Sequence, residues 1–205
     1  MIYILILVVL LTVLFSYKYA WWKPAVDWNR PRVLMYHMVR DHINGAKFNK
    51  LRVKPAEFEK QVAWMKAQGF HFVTMHELQE NWGNHPAKTV AITFDDGYLD
   101  NLQNAYPILE KYQAKATIYV VVDRHDRDWS TYKKEHHNSG ELMLEAKLND
   151  AQVKQLADSE LIEIGSHTVT HANLNKLDDT DCLKELTDSK QWLEQLIEKP
   201  VTSFA

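Results

Sequence analysis

The sequence lacks several features that would assign a function directly. Only one of its 205 residues, Cys182, is a cysteine, which excludes an internal disulfide and a zinc ribbon. Lysine and arginine form no basic run, and the net charge of -3 argues against a nucleic-acid binder. No G-x-G-x-x-G follows the first strand-like segment, so dinucleotide binding loses its usual support. Internal repeats and low-complexity tracts are also absent.

The N-terminus is strongly apolar. Residues 1–17 hold no charged side chain and approach the ~17-residue lower limit for crossing a bilayer. Four aromatic residues lie where an interfacial belt is expected: Tyr17, Tyr19, Trp21 and Trp22. A cleaved signal peptide is the alternative, but no convincing A-x-A cleavage site follows. We expect a transmembrane anchor or signal-anchor over 1–17, a linker over 18–31 and a folded domain over 32–205.

Strand-like and helix-like segments alternate through the rest of the chain. The predicted strands are 32–39, 70–74, 88–94, 115–122 and 161–167. The predicted helices are 54–69, 75–82, 98–113, 149–160 and 177–200. This alternation indicates an α/β fold with a parallel sheet, either doubly wound or a (β/α) barrel. A polar insertion, 123–141, interrupts the rhythm.

Ionisable residues follow three of the predicted strands. Asp95 and Asp96 end the strand 88–94, His167 and His171 follow the strand 161–165, and His37 lies near the end of 32–39. In parallel sheets and barrels, reactive groups gather beyond the carboxyl ends of the strands. We therefore expect these residues to meet at one edge, although they span most of the chain.

A divalent metal ion would explain why two adjacent carboxylates end an apolar strand. Two histidines and one carboxylate form a ligand set that leaves positions open for water and substrate. The second carboxylate would then be free to act as a general base. Alone, Asp-Asp-Gly is most often a solvated turn, and H-x-x-x-H is as often a surface pair on a helix. Their placement at successive strand ends favours a metal site.

Other residues have less specific interpretations. His37 is equally consistent with a core histidine on residue type alone, and Gly97 would allow a sharp turn out of the strand. Met35, Met38 and Trp64 are interpreted as core residues. In the polar insertion, His136-His137 is interpreted as solvated, and Trp129 either stacks on a sugar ring or packs its own loop.

Two motifs resemble those of a known family. "TFDDG" at 93–97 and "SHTVTH" at 166–171 resemble the first two motifs of the polysaccharide deacetylases, carbohydrate esterase family four. The resemblance, over roughly 32–205, implies a distorted (β/α) barrel and metal-dependent removal of acetyl groups from N-acetylated sugars. By position it makes Asp95 the catalytic base. It assigns Asp96, His167 and His171 to the metal, commonly zinc.

The segment "VLMYHMV" further resembles the deacetylases of poly-N-acetylglucosamine, which implies that polymer as substrate and His37 as general acid. Two departures qualify the resemblance. Ala172 replaces a proline that often follows the second motif, and family members continue beyond the position of Ala205 into further strands. We therefore expect an incomplete barrel. The alternative function is a catalytically impaired carbohydrate-binding or scaffold protein. A glycoside hydrolase fits poorly, because adjacent carboxylates cannot easily lie ~5 Å or more apart across a sugar.

Charge and function give opposite expectations for membrane topology. Basic residues after the apolar segment favour a cytoplasmic domain by the positive-inside rule: Lys18, Lys23, Arg30 and Arg32. Cell-wall polymers and exopolysaccharides, however, lie outside the cytoplasmic membrane, and long domains translocate largely regardless of charge. We expect a single-pass protein of the cytoplasmic membrane with an extracytoplasmic domain.

Overall fold

The computed structural model of the protein describes residues 1–126 and 140–205. The predictions for Trp129 and for His136-His137 fall outside these residues. The described α-helices are α1 (Ile2–Tyr19), α2 (Pro55–Ala67), α3 (Met75–Glu80), α4 (Tyr106–Tyr112), α5 (Asp150–Ala157) and α6 (Asp179–Ile197). The described strands are β1 (Arg32–Tyr36), β2 (Met38–Val39), β3 (Arg52–Val53), β4 (His71–Val73), β5 (Thr89–Phe94), β6 (Ala116–Val120) and β7 (Ile162–Ser166). A π-helical turn, Asn101–Ala105, leads into α4.

Five of these strands form one parallel sheet. Its order is β1-β5-β6-β7, and β4 also pairs with β5. The register places Tyr36 opposite Phe94, and Val120 opposite Ser166. The carboxyl ends of β1, β5, β6 and β7 therefore meet at one edge, as predicted. Among the described strands none joins β1 to β7, so the sheet is not closed into a barrel within this part of the chain.

The core lies between this sheet and the helices packed on it. Every residue of β5 and β6 is buried, which matches their apolar and β-branched sequences. Helix α2 contributes Phe58, Val62 and Met65 to the core, and α6 contributes Leu193 and Ile197. The predicted helical spacing in 54–69 and 177–200 is thus confirmed by the faces that these helices bury.

Local sequence signals also set the helix boundaries. Asn149 Oδ1 accepts a hydrogen bond from Gln152 N at 2.9 Å, and Gln152 Oε1 accepts one from Asn149 N at 2.9 Å. This reciprocal capping begins α5 at the start of the helix predicted over 149–160. After α2, Gly69 has a φ of 74°, the left-handed conformation typical of a helix end.

The prediction of a buried strand over 32–39 is wrong in part. The strand breaks at His37, and the side chains of Val33 and Met35 are 50% and 65% exposed. Among the described strands β1 pairs only with β5, so part of it faces outward. Trp64, predicted as core, is 55% exposed, whereas Met38 is buried as predicted.

Helix α1 has no buried residue and is long and apolar enough to cross a membrane. A signal sequence near an N-terminus would have the same properties. The division into anchor, linker and domain therefore stays a prediction.

Candidate metal centre

The end of β5 places two carboxylates in a buried turn. Asp95 N donates to Tyr36 O at 2.9 Å, which continues the β1–β5 pairing by one residue. Asp96 and Gly97 then adopt left-handed φ values of 74° and 68° and turn the chain sharply. Glycine takes this conformation freely and aspartate tolerates it better than most residues, so the turn suits its sequence. Asp95 and Asp96 are 7% and 4% exposed.

The end of β7 carries the two histidines on a tight loop. His167 N donates to Val120 O at 3.0 Å, which extends the β6–β7 pairing. Thr168 and His171 have left-handed φ values of 64° and 57°, and these fold the intervening residues back toward the sheet edge. The H-x-x-x-H pair is therefore a loop feature, one of the two placements that the sequence left open.

The three predicted ligands meet at this edge. Asp96 Oδ1 lies 3.4 Å from His167 Nε2 and 3.3 Å from His171 Nε2. The two imidazole ring centroids are 5.0 Å apart. One ligand atom from each of the three residues lies within 4.8 Å of the others. Residues separated by about 70 positions in the sequence thus form one donor set, as expected for the carboxyl ends of neighbouring strands.

The chemistry of this donor set fits a cation. Asp96 Oδ1 is buried and receives no well-aligned hydrogen bond from the described residues. His167 Nδ1 lies 2.5 Å from the main-chain oxygen of Ala205. Because that oxygen only accepts, Nδ1 carries the proton, and Nε2 of the neutral ring presents a lone pair toward Asp96. One carboxylate oxygen and two imidazole nitrogens are ligands that zinc commonly takes, with a further position left for water.

The pKa values of the two adjacent carboxyl groups are shifted in opposite directions. Burial raises the pKa of Asp95, although the charges of His167 and His37 partly offset it. Burial acts to raise the pKa of Asp96, but the imidazoles of His167 and His171 outweigh burial when they are protonated, and the pKa of Asp96 is lowered. A pair of carboxyls with opposite shifts is typical of sites that need one ligand and one base.

The pKa values of the two imidazoles are also shifted in opposite directions. Burial lowers the pKa of His171. Burial also acts to lower the pKa of His167, but Asp96 stabilises the protonated ring by its charge and by accepting a hydrogen bond from it, and this raises that pKa. His171 therefore loses its proton more readily, and deprotonated imidazole is the form that binds metal.

His37 lies at the same edge, where the chain passes from β1 to β2. Its main-chain oxygen accepts a hydrogen bond from Asn101 Nδ2 at 2.8 Å. Its charge is near enough to lower the pKa of both Asp95 and Asp96. The structure thus brings together all five residues singled out by sequence.

Two further residues at the site were not singled out by sequence. Tyr98, directly after the Asp-Asp-Gly turn, is fully buried; burial and the charge of Asp96 raise its pKa. Its position beside the motif was an available signal. Glu185 of α6 accepts hydrogen bonds from the loop between the two histidines. Nothing in its local pattern distinguishes it from other charged residues on an amphipathic helix.

Comparison with known proteins shows which family the chain matches. The family model named polysaccharide deacetylase matches residues 83–205, which include all four carboxylate and imidazole residues at the ends of β5 and β7. The chain belongs to the polysaccharide deacetylase family. The resemblance of the two motifs is thereby confirmed.

Individual relatives of this chain extend the match toward the N-terminus. YxkH of Bacillus subtilis, named as a polysaccharide deacetylase, is 34% identical over 186 residues, which cover 89% of this chain and 58% of YxkH. The poly-β-1,6-N-acetyl-D-glucosamine N-deacetylase of Staphylococcus aureus is 25% identical over 197 residues, covering 86% of this chain and 64% of that protein. The chain thus spans about three fifths of the length of these relatives.

Solved structures give the same fold. A polysaccharide deacetylase from Bacillus cereus matches with a TM-score of 0.68 and 31% identity, over 85% of this chain and 49% of that one. The Streptococcus pyogenes deacetylase PplD, solved in complex with acetate, matches with a TM-score of 0.69 and 27% identity, over 88% of this chain and 74% of that one. The predicted α/β fold of the deacetylase type is confirmed.

Proposed function

We propose that this chain forms the catalytic part of a metal-dependent hydrolase that removes N-acetyl groups from polysaccharides containing N-acetylglucosamine. The observation that carries the proposal is the convergence of Asp96, His167 and His171 within 4.8 Å, with the buried carboxyl of Asp95 adjoining them. Membership of the polysaccharide deacetylase family supports the reaction class. The Staphylococcus aureus relative, a poly-β-1,6-N-acetyl-D-glucosamine N-deacetylase, supports the choice of polymer.

Asp96, His167 and His171 would hold the metal ion, for which we propose Zn²⁺. When bound there, such an ion acts as a Lewis acid toward a carbonyl oxygen and lowers the pKa of a coordinated water. The two histidines are 14% and 30% exposed at the side chain, so the centre opens toward solvent and a substrate has access. The left-handed turn at Asp96 directs its carboxylate between the imidazoles.

Asp95 would act as the general base. Its Oδ1 atom is buried and accepts no well-aligned hydrogen bond from the described residues, so a lone pair remains available for a proton. Burial raises the pKa of this carboxyl, and a base of higher pKa takes a proton from water more effectively. The hydrogen bond from Asp95 N to Tyr36 O holds its backbone while the side chain changes protonation.

His37 would act as the general acid. Cleavage of the acetamide C–N bond leaves a glucosamine nitrogen that must gain a proton, and an imidazolium is a suitable donor near neutral pH. His37 lies at the end of β1, and Asp95 follows β5, the strand paired with β1. The two residues therefore approach the same bound sugar from neighbouring strands.

Acetate release from N-acetylglucosamine oligomers by the purified full chain tests these roles. With added zinc, the unchanged chain should release acetate, and a chelator should stop the release. Asp95→Asn should abolish release yet keep the metal, whereas His167→Ala should lose both. Asp158→Asn, at an exposed position after α5, is the matched control and should retain both.

Two outcomes would contradict the proposal. Near-normal turnover by metal-loaded Asp95→Asn would remove the assigned base. Metal binding by the unchanged chain without any acetate release would favour the alternative, a carbohydrate-binding protein that does not turn over its ligand.

We propose further that α1 anchors the chain in the cytoplasmic membrane with the deacetylase domain outside it, where such polymers lie. The exposed Trp21 and Trp22 just beyond α1 would lie in the interfacial layer. Protease added to intact spheroplasts should then digest the domain. Protection of the domain until the membrane is opened would place it in the cytoplasm.

A further inference from the structure

The loop between the two candidate ligand histidines is conformationally costly. Thr168 and His171 both have positive φ values, 64° and 57°, a conformation that residues other than glycine, asparagine and aspartate adopt only at a cost. Such conformations persist only where surrounding contacts specify them. Since His171 belongs to this loop, whatever holds the loop also sets the position of its imidazole.

The side chain of Glu185 binds the middle of this loop. Glu185 Oε2 accepts hydrogen bonds from Val169 N at 2.7 Å and from Thr170 N at 3.0 Å. Glu185 Oε1 accepts a third from Thr170 Oγ1 at 2.7 Å. One carboxylate thus binds two consecutive main-chain amides and the adjacent hydroxyl. Hydrogen bonds to a charged acceptor are stronger than neutral ones.

Other contacts anchor the carbonyl side of the same loop. Val122 N donates to Thr168 O at 3.2 Å, and Asp123 N donates to Val169 O at 2.8 Å. These bonds tie the loop to the segment after β6. The two amides that Glu185 binds belong to the same peptide groups as these carbonyls and point in the opposite direction. The carboxylate therefore restrains the other side of the same two peptide groups.

Glu185 is itself held by a well-packed helix. In α6, Ser189 is fully buried and its hydroxyl lies 2.7 Å from the hydroxyl of Ser166, the last residue of β7. Leu193 and Ile197 place the rest of α6 in the core. The helix that carries Glu185 is therefore fixed to the strand that precedes the loop.

We propose that Glu185 is a positioning residue for the metal centre: it holds Val169 and Thr170 so that the imidazoles of His167 and His171 stay directed at Asp96. This inference rests on the metal site of the proposed function. Without the carboxylate, two amides would turn toward water and the loop would relax from its left-handed conformations. The donor set would then have to be reassembled when a metal binds, and the metal affinity would fall.

If Glu185 had a purely structural role, its removal would lower stability without changing the metal centre. Helix α6 offers a matched control for this comparison. Glu194 Oε1 accepts a hydrogen bond from Val201 N at 3.0 Å. This is also a contact between a carboxylate of α6 and a main-chain amide, but Val201 lies outside the loop of the two histidines. Glu194→Ala should cost stability without changing the metal centre.

The test compares the Zn²⁺ dissociation constants of the full chain in detergent, measured by competition with a chromophoric chelator. We expect Glu185→Ala to weaken zinc binding by about 10- to 100-fold, the usual effect of losing an outer-shell partner. Glu185→Gln keeps one acceptor oxygen and should weaken it less. Glu194→Ala should change it by less than about twofold, because Glu194 accepts from Val201 N and binds no amide of the histidine loop.

Amide hydrogen exchange in the metal-free proteins gives a second readout. Val169 and Thr170 should exchange faster in both Glu185 variants than in the unchanged chain and in Glu194→Ala. Equal zinc affinity in the unchanged chain and the Glu185 variants would overturn the inference, as would an equal loss in Glu194→Ala. If Glu185→Ala does not fold, Glu185→Gln decides by the same criteria. No zinc binding by the unchanged chain would instead overturn the proposed metal centre, and this inference with it.

Discussion

Within the described residues, two clusters that contain buried carboxylates differ in the groups that face those carboxylates. The ion-pair cluster consists of Arg40, Arg52, Glu141 and Glu145. Arg52, whose side chain is fully buried, contacts Glu141 at 2.8 Å and Glu145 at 2.6 Å, and Arg40 also contacts Glu145. Its carboxylates are thus neutralised by arginines of the same chain.

The metal cluster, Asp96, His167 and His171, has no permanently charged cation among its members. Its carboxylate oxygen faces two imidazole nitrogens at 3.3 and 3.4 Å, and the tautomer of His167 presents a lone pair. The charge of Lys147 acts on this carboxylate from nearby, but the donor atoms that face the carboxylate are ones that commonly bind a cation. Burial of a carboxylate alone therefore does not identify a site; the type of group that faces the carboxylate does.

The largest decrease in unfolding free energy is expected from Arg52→Ala. Removing the buried guanidinium leaves Glu141 and Glu145 with less compensation, and breaking a buried ion pair typically costs about 3–5 kcal/mol of unfolding free energy. Chemical denaturation of the full chain in detergent measures it. Lys154→Ala, which breaks the exposed pair with Glu198, is the control and should leave the midpoint unchanged.

If the two substitutions shift the midpoint equally, the ion-pair cluster is not the structural element that we describe. Arg52→Ala should also retain zinc-dependent stabilisation at a concentration where enough protein is folded. Loss of that stabilisation would mean that the two clusters act as one.

A smaller effect on the unfolding free energy is expected from substituting Asp100. The carboxylate of Asp100 accepts a hydrogen bond from Val39 N at 2.8 Å beside the ion-pair cluster. Burial raises the pKa of Asp100 to about 6, from 3.8. The folded state then binds its proton more tightly than the unfolded state does. The resulting stability is fully present below pH ~4 and is lost as the pH rises through ~6, with a total of at most about 3 kcal/mol.

Asp100→Asn keeps an acceptor oxygen for Val39 N but cannot ionise. The difference in unfolding free energy between Asp100→Asn and the unchanged metal-free protein should therefore grow in favour of the variant between pH 4 and pH 7. A difference that stays constant over this range would show that Asp100 does not titrate as its burial indicates.

Zinc should act only through the metal cluster. At a free concentration 100 times the dissociation constant, a ligand that binds only the folded state adds about 2.7 kcal/mol to the unfolding free energy. We expect this increment in the unchanged chain and its loss in His171→Ala. Thermal unfolding with and without zinc measures this increment in unfolding free energy. If the increment is unchanged in His171→Ala, that residue is excluded as a ligand.

The sequence predicted most of the fold because the signals are local. The helical spacing of Phe58, Val62 and Met65 and the Asn149 cap identified α2 and α5 to within a few residues. The exposure of Met35 on β1 and of Trp64 on α2 was missed, because residue type does not show which strand lies at the side of a sheet or which helix positions a neighbouring element covers.

The candidate site was also largely predictable, since the carboxyl ends of parallel strands meet at one edge whatever the details of packing. The sequence alone therefore determined which donors collect there: Asp95, Asp96, His167 and His171. Only the tertiary structure decided that Glu185 binds the histidine loop and that Arg52 meets Glu145, 93 positions away. Such contacts depend on how helices and strands that are far apart in the sequence pack together, and no local pattern of residues determines that packing.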